Sequence, residues 1–307
     1  MSKYEVKNNI FLILFEGLKI YFSNIDKFFL YMLFPVFGQI VGIILSFALT
    51  LGLADRVIAK SNSMTTALFM VLILAIPGLL IFVKAFWDYM VAYVALNSMT
   101  EGALSTGKVY DFQSHNEVAT RRTFQYVIFL LAVGVLSSIA SSIFFIIPGI
   151  ILWIYFILVF QVFTFEPELS VPDYFKRSFQ LVKGKWLSTF LLMAILVFFT
   201  IFIITEGVTV VFDYLSLTDK VASLFNFVTY KIPLDLCNQM LTYWHLPIIT
   251  PDYISKTIFY CMLSFIVMGL TLPIRSICWT LWYKNLSYSK TQPRLNASRK
   301  TKKEYRD

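Results

Sequence analysis

Charge is scarce in this sequence: charged side chains make up only 14% of the residues, while 58% are apolar and mean hydropathy is +0.72. An ordinary soluble domain carries roughly 25% charged and about 45–50% apolar residues. So few charges could not cover a water-facing surface, which excludes a soluble fold and leaves lipid as the solvent of the outer face. Cysteine is also rare. Cys237, Cys261 and Cys278 show no CxxC spacing, which excludes a disulfide scaffold or a thiolate metal site. A disulfide between Cys237 and Cys261 is conceivable beside the plainer reading of isolated apolar thiols. The two histidines, His115 and His245, fall on predicted opposite sides of the membrane and cannot share a site. There is no GxSxG elbow, GxxxxGK[ST] phosphate loop or HExxH pair. Enzymatic activity, a cofactor and a bound metal are therefore not expected.

What is present is apolar sequence in membrane-sized lengths. A helix crossing roughly 30 Å of hydrocarbon needs about 20 residues. No formal charge occurs over Phe28–Ala54, Met64–Val83, Thr123–Phe165, Trp186–Thr205 or Thr257–Ile274. The third stretch is about twice one crossing and is interrupted by Pro148-Gly149, so it reads as two helices. Spanning β-strands would need ten-residue dyad alternation, roughly, and the sequence has none. The expectation is an all-α, polytopic transmembrane helical bundle of about six spans in one domain over residues 1–290. The spans are placed near 28–53, 65–90, 123–146, 150–166, 186–210 and 257–284.

The net charge of +8 resembles a nucleic-acid signal, but its placement gives another explanation. With the N-terminus inside, nineteen of the 26 basic residues lie in cytoplasmic segments and five (Arg56, Lys60, Lys220, Lys231 and Lys256) lie outside. This is the positive-inside asymmetry. It implies cytoplasmic N- and C-termini and no nucleic-acid partner. The tail over 291–307 is basic and expected to be disordered, able to touch anionic lipid. Residues 1–27 do not read as a cleaved signal, because Glu16 and Lys19 break the apolar part.

Two amphipathic helices at the interface are predicted, at about 9–22 and 171–184, each preceding a long span. In the second, Ser170 is the predicted N-cap, with Pro172 and Asp173 in the first turn. Phe175, Phe179 and Val182 form its apolar side. The two units resemble degenerate copies, each reaching a proline within apolar sequence at Pro77 or Pro273. The outer segment, 211–256, is apolar enough for one or two helices lying on the leaflet or partly re-entrant. Thr218 and Asp219 are its start signals, and Val221, Leu224, Phe225 and Val228 its apolar stripe. Gly134, Ser138 and Ser142 form a small-residue stripe expected to pack against another helix.

Arg121-Arg122, the Ser-rich span, Ile147-Pro148-Gly149-Ile150, Glu166 and the run Asp173 to Trp186 together resemble a known pattern. They are similar to the membrane domain of membrane-anchored glycerophosphodiester phosphodiesterases and to the YciC-like bacterial inner-membrane proteins. Trp282-Tyr283-Lys284-Asn285-Leu286 is similar to their last span. The resemblance is strongest over Arg121–Val210. It implies a bacterial cytoplasmic (inner) membrane location and a helical bundle. It carries over no catalytic residue, since hydrolysis in the phosphodiesterases belongs to a separate soluble barrel that this chain lacks.

The candidate functional residues are charges inside apolar sequence, which cost at least about 2.5–3.5 kcal/mol at mid-bilayer and usually face protein or water. Lys84 and Asp88 are four apart on one helix face, Glu206 lies near the outer end of the fifth span, and Arg275 lies two residues beyond Pro273. Together they could line a polar cavity for a lipid headgroup or another anion. Alternatively, Lys84 snorkels to the interface with Asp88 as its partner, and Glu206 reaches the headgroups. Two functions fit. One is a non-enzymatic membrane component assisting envelope or lipid homeostasis by binding membrane lipids, a protein partner or a second copy of itself. The other is a transporter or channel whose broken helices and charges form a path.

Overall fold

A computed structural model describes the backbone of residues 9–304 except 62, 110, 143–145, 231 and 233. Side chains are described for all of these but 54, 55, 146 and 290–304. The basic tail at 291–307 thus lies outside the fully described residues. The described chain is all-α: six helical segments are long and apolar enough to cross a membrane, and no strand occurs among the described residues. Apolar side chains cover the surface, with Leu72, Leu131 and Leu187 at least 65% exposed. Hydrocarbon is a solvent such a surface suits, and helices satisfy their own backbone groups there. The protein is an integral, multi-pass membrane protein.

The helices are α1 (Ile10–Ser23), α2 (Ile25–Lys60), α3 (Met64–Thr106), α4 (Phe112–Thr120), α5 (Thr123–Ala140), α6 (Ile146–Phe156), α7 (Val159–Phe165) and α8 (Val171–Val182). Then come α9 (Trp186–Val197), a π-helical stretch (Phe198–Thr205), α10 (Glu206–Tyr214) and α11 (Leu217–Ala222). After a 3₁₀ turn at Ser223–Phe225 follow α12 (Asn226–Thr229), α13 (Asp235–Tyr243), α14 (Pro251–Leu270) and α15 (Leu272–Glu304).

Several boundaries differ from expectation. The span placed at 123–146 ends at Ala140, and α6 begins before Pro148. The proline sits in the first turn of α6, where its missing N–H is not needed. Gly149 beside it is required because a Cβ would collide with the Ala140 carbonyl. α3 continues to Thr106, well past 90, because its later polar residues are hydrogen-bonded and no breaker intervenes. The last span is two helices. α14 starts at Pro251, with Thr250 Oγ1 accepting from the Tyr253 N–H at 3.2 Å, and Thr271 separates it from α15, whose first turn holds Pro273.

The chain divides into two compact units, one of Met1–Tyr31, Met90–Leu196 and Leu272–Asp307, the other of Met32–Tyr89 and Val197–Thr271. In the first, α1 buries Ile13, Gly17 and Tyr21 against α15, where a Cβ on Gly17 would come 2.5 Å from Cys278 Sγ. The outward side of α1 carries Phe11, Leu12 and Phe15. α3 is enclosed nearly all round from Val91 to Thr100, as befits a central helix. Tyr126, Phe129, Phe163 and Tyr174 stack into an aromatic core, with Phe129 and Phe163 ring centroids 5.0 Å apart.

The second amphipathic helix is turned from the expected orientation. α8 buries Tyr174, Ser178, Leu181 and Val182, whereas Phe175 is half-buried and Phe179 is 37% exposed. Packing against α5, α6, α7 and α15 decides its orientation, so Tyr174 and Leu181 turn fully inward, while Phe175 lies against Phe129 and Phe156 and Phe179 lies partly exposed against Tyr155. Ser170 occupies the N-cap position, but its hydroxyl donates to the Asp173 carboxylate instead of capping a backbone N–H.

In the second unit α2 and α3 approach backbone to backbone. A Cβ on Gly42 would lie 2.6 Å from the Phe82 nitrogen, and one on Gly78 would lie 2.5 Å from the Gly42 oxygen. Gly38, Gly42 and Ser46 therefore form the small-residue seam, with Ser46 Oγ donating to the Ala75 carbonyl at 3.3 Å. The stripe expected to pack, at Gly134 and Ser138, is exposed, and a Cβ on Gly134 would meet nothing within 4 Å. In the segment at 211–256 the stripe is split: Leu224 is 67% exposed, while Ala222 and Phe259 form a buried core with Val221 and Phe225 against it. Thr218 does not start a helix by capping; its hydroxyl donates to Asp213. All three cysteines are free thiols, Cys237 and Cys261 exposed and Cys278 buried.

Candidate functional site

Of the four predicted charges, the structure brings two together. Lys84 Nζ lies 2.5 and 2.6 Å from the two carboxylate oxygens of Asp88, and 5.9 Å from the Phe34 ring centroid. The helix repeat alone produces this pair. The Lys84 side chain is 63% exposed and Asp88 27%, so the pair sits on the outside of the helix. Glu206 is exposed at the start of α10, directly after the π-helical stretch. Arg275, half-buried on α15, belongs to the first unit, while the other three belong to the second.

Polar chemistry in the first unit concentrates on residues that, in the sequence, look like orientation signals. Arg122 donates to the carbonyls of Phe163 and Pro167, both at 3.0 Å, and to the Tyr174 hydroxyl at 3.3 Å. Its guanidinium also stands 4.3 Å from the Phe163 ring centroid. These carbonyls follow the end of α7 or belong to it, and a helix end leaves such groups without intrahelical donors. Arg121, the adjacent residue, only pairs with Glu117 on its own exposed face. Glu166 accepts from Arg177 Nε at 2.8 and 3.0 Å and from the Tyr283 hydroxyl at 2.8 Å, which joins α8 and α15 to the end of α7. Burial pushes the Tyr174 phenol pKa upward, and Arg122 opposes that shift. His115 shares a 2.9 Å hydrogen bond with Ser98. Its pKa is lowered by burial, against the opposing pull of Asp111.

Deeper in the same unit, the fully buried Asn97 is a hub. Its Oδ1 accepts from Ser276 at 2.8 Å, Thr280 at 3.1 Å and Gln161 Nε2 at 3.2 Å, and its Nδ2 donates to Thr164 at 3.1 Å. The Gln161 Oε1 atom is buried without a partner. Among the described residues no three His, Cys, Asp or Glu side chains come together closely enough to hold a metal ion.

One feature among the described residues that suits a ligand carries no charge. A half-open apolar chamber of about 680 Å³ in the second unit is lined by thirteen residues of α2, α14 and the segment between α10 and α14, of which Ile43, Phe47 and Phe227 also face outward. Gln39 is the only polar one, and its Nε2 donates to the Pro35 carbonyl at 2.7 Å. Lining on α2 runs from Gln39 through Ile43 and Phe47 to Leu51, a single face advancing about 18 Å at 1.5 Å per residue. Opposite stand Phe225, Val228 and Ile232 and, from α14, Ile258, Met262 and Phe265. In a helix that is apolar all round, sequence gives no contrast between a lipid-facing side and a chamber-lining side, so these residues are not legible in it. Only the stripe through Phe225 and Val228 hints at them. None of the four predicted charges lines this chamber.

Comparison with protein-family models, with curated proteins and with solved structures finds no match for the chain.

Proposed function

We propose that this is a non-enzymatic protein of the bacterial cytoplasmic membrane, with both termini inside, that binds a membrane lipid and serves envelope or lipid homeostasis. The observation that carries this reading is the chamber of about 680 Å³ with one polar residue in its lining. Small-molecule sites commonly span about 300–1,000 Å³, and a lining without charge suits a hydrocarbon chain. Its run of about 18 Å along α2 is close to one leaflet of a ~30 Å hydrocarbon core. The placement of nineteen of 26 basic residues supports the orientation, and the resemblance over Arg121–Val210 supports the membrane. Lys84 and Asp88 in this account anchor α3 at an interface.

The alternative is a transporter, and the observation favouring it is the polar hub at Asn97 with the unpartnered Gln161 oxygen. Mass spectrometry of the protein extracted with its native lipids separates the readings. One lipid is expected to stay with each chain, and Ile43→Trp or Met262→Trp, which fill the chamber, are expected to release it without loss of helix content. Identical lipid content in the parent and in both folded variants would refute the proposal.

A further inference from the structure

Resting on the lipid-binding reading of the chamber, we infer that the lipid it favours is an uncharged alcohol. The hydroxyl is held by the Gln39 amide at mid-membrane, and the hydrocarbon lies along α2. Gln39 is the middle residue of the 29-residue apolar segment Ile25–Leu53 and is only 6% exposed. A buried amide without hydrogen-bond partners is costly, the more so in hydrocarbon. The bond from Nε2 to the Pro35 carbonyl, at 2.7 Å, satisfies one donor. That carbonyl can only accept, so Nε2 is the atom that faces it and Oε1 is turned away. Among the described residues no donor reaches Oε1, and every other residue lining the chamber is apolar. The amide therefore keeps two groups for a ligand, the Oε1 acceptor and the second N–H of Nε2.

Water does not fill this role. A buried water needs several polar partners, and cavities lined by apolar side chains stay dry. A hydroxyl does fill it, because it donates one O–H and accepts in turn, matching Oε1 and the free N–H. Depth rules out other polar ends. The lining on α2 runs from Gln39 to Leu51, toward one end of the segment, so Gln39 marks the mid-membrane end of the chamber. A charged headgroup is costly at that depth, and no charged side chain lines the chamber to offset it. A phospholipid tail fits the apolar length, but it ends in a methyl group and leaves the amide unanswered. An ester or ether oxygen only accepts, which leaves Oε1 without a donor. An alcohol answers both groups.

The test reconstitutes the full chain in phosphatidylcholine vesicles holding equal small amounts of hexadecanol and hexadecyl methyl ether, then measures what is retained after re-extraction. The alcohol is expected to exceed the ether by about tenfold, the scale of one or two net hydrogen bonds. Gln39→Leu and Gln39→Met keep the bulk of the side chain and remove the amide. Each should bring the two probes to parity with retention of the ether unchanged, and Ile43→Trp should remove both. Equal retention by the parent, or retention of phosphatidylcholine alone, would overturn the hydroxyl assignment and leave the chamber standing. A preference for the alcohol that survives both Gln39 substitutions would overturn it equally. Retention of neither probe nor phosphatidylcholine by the parent would overturn the chamber as well.

Discussion

Gly78→Leu is expected to lower stability by about 3 kcal/mol or more, the upper range for overpacking a close-packed interface. Even one added carbon at Gly78 would stand 2.5 Å from the Gly42 oxygen and 2.5 Å from the Ser46 nitrogen. Those are backbone atoms, which cannot swing aside as a side chain can, so α2 and α3 must separate. Without a hydrophobic force between helices in lipid, close packing of small residues is a main source of their association, and separation loses it along the whole seam. Gly42→Leu should behave alike, since its Cβ would meet the Phe82 nitrogen at 2.6 Å. Gly134→Leu supplies the control: a Cβ there meets nothing, and removing a helical glycine gains about 1 kcal/mol of propensity. Thermal unfolding in detergent, read by helix content and by protease resistance, measures all three. Equal losses at Gly78 and Gly134 would show that the seam is not where the structure puts it.

Arg122→Met and Arg121→Met should differ by about 3 kcal/mol, although the residues are adjacent and both look like orientation charges. Hydrogen bonds from a charged donor contribute about 1.5–3 kcal/mol each. Arg122 makes such bonds to Phe163, Pro167 and Tyr174, joining the end of α7 to α8. Its loss leaves carbonyls at a helix end without donors. Arg121 pairs with Glu117 with its own side chain 77% exposed, and exposed pairs contribute about 0–1 kcal/mol. Unfolding midpoints of the two variants in the same detergent check this, with Arg122→Lys expected to rescue only in part because lysine lacks the planar fork. A loss at Arg121 as large as that at Arg122 would contradict the assignment.

The contrast between these two arginines shows what a membrane sequence discloses. Composition discloses the class outright, because so few charges have no aqueous alternative. The Lys84–Asp88 pair is legible because a helix repeat needs no partner helix to place it. Arg122 is not, because its role depends on carbonyls 41 and 45 residues away. The seam at Gly38, Gly42 and Gly78 and the chamber wall at Ile43 and Phe47 are hidden for a common reason. In water-soluble proteins burial is written as a contrast of apolar against polar, but in lipid both faces of α2 are apolar. The stripe at Gly134 and Ser138 shows the reverse, since small residues at helical spacing are present yet exposed, and among the described residues nothing lies within 4 Å of a Cβ at Gly134. The orientation of α8 is only partly legible in sequence: Val182 is buried as its spacing suggests, but Phe179 is 37% exposed in a protein whose surroundings are also apolar.

Occupancy of the second unit's chamber by a lipid chain is the point on which the proposed function turns. The most direct measurement is photo-crosslinking in vesicles with a phosphatidylethanolamine carrying a diazirine on its acyl chain, followed by peptide mapping of the adducts. Adducts are expected to concentrate on Ile43, Phe47, Phe227 and Met262, which line the chamber, and to be lost in Ile43→Trp. Adducts spread over outward residues such as Leu68, Leu72 and Leu131, unchanged by that substitution, would contradict a lipid-binding chamber.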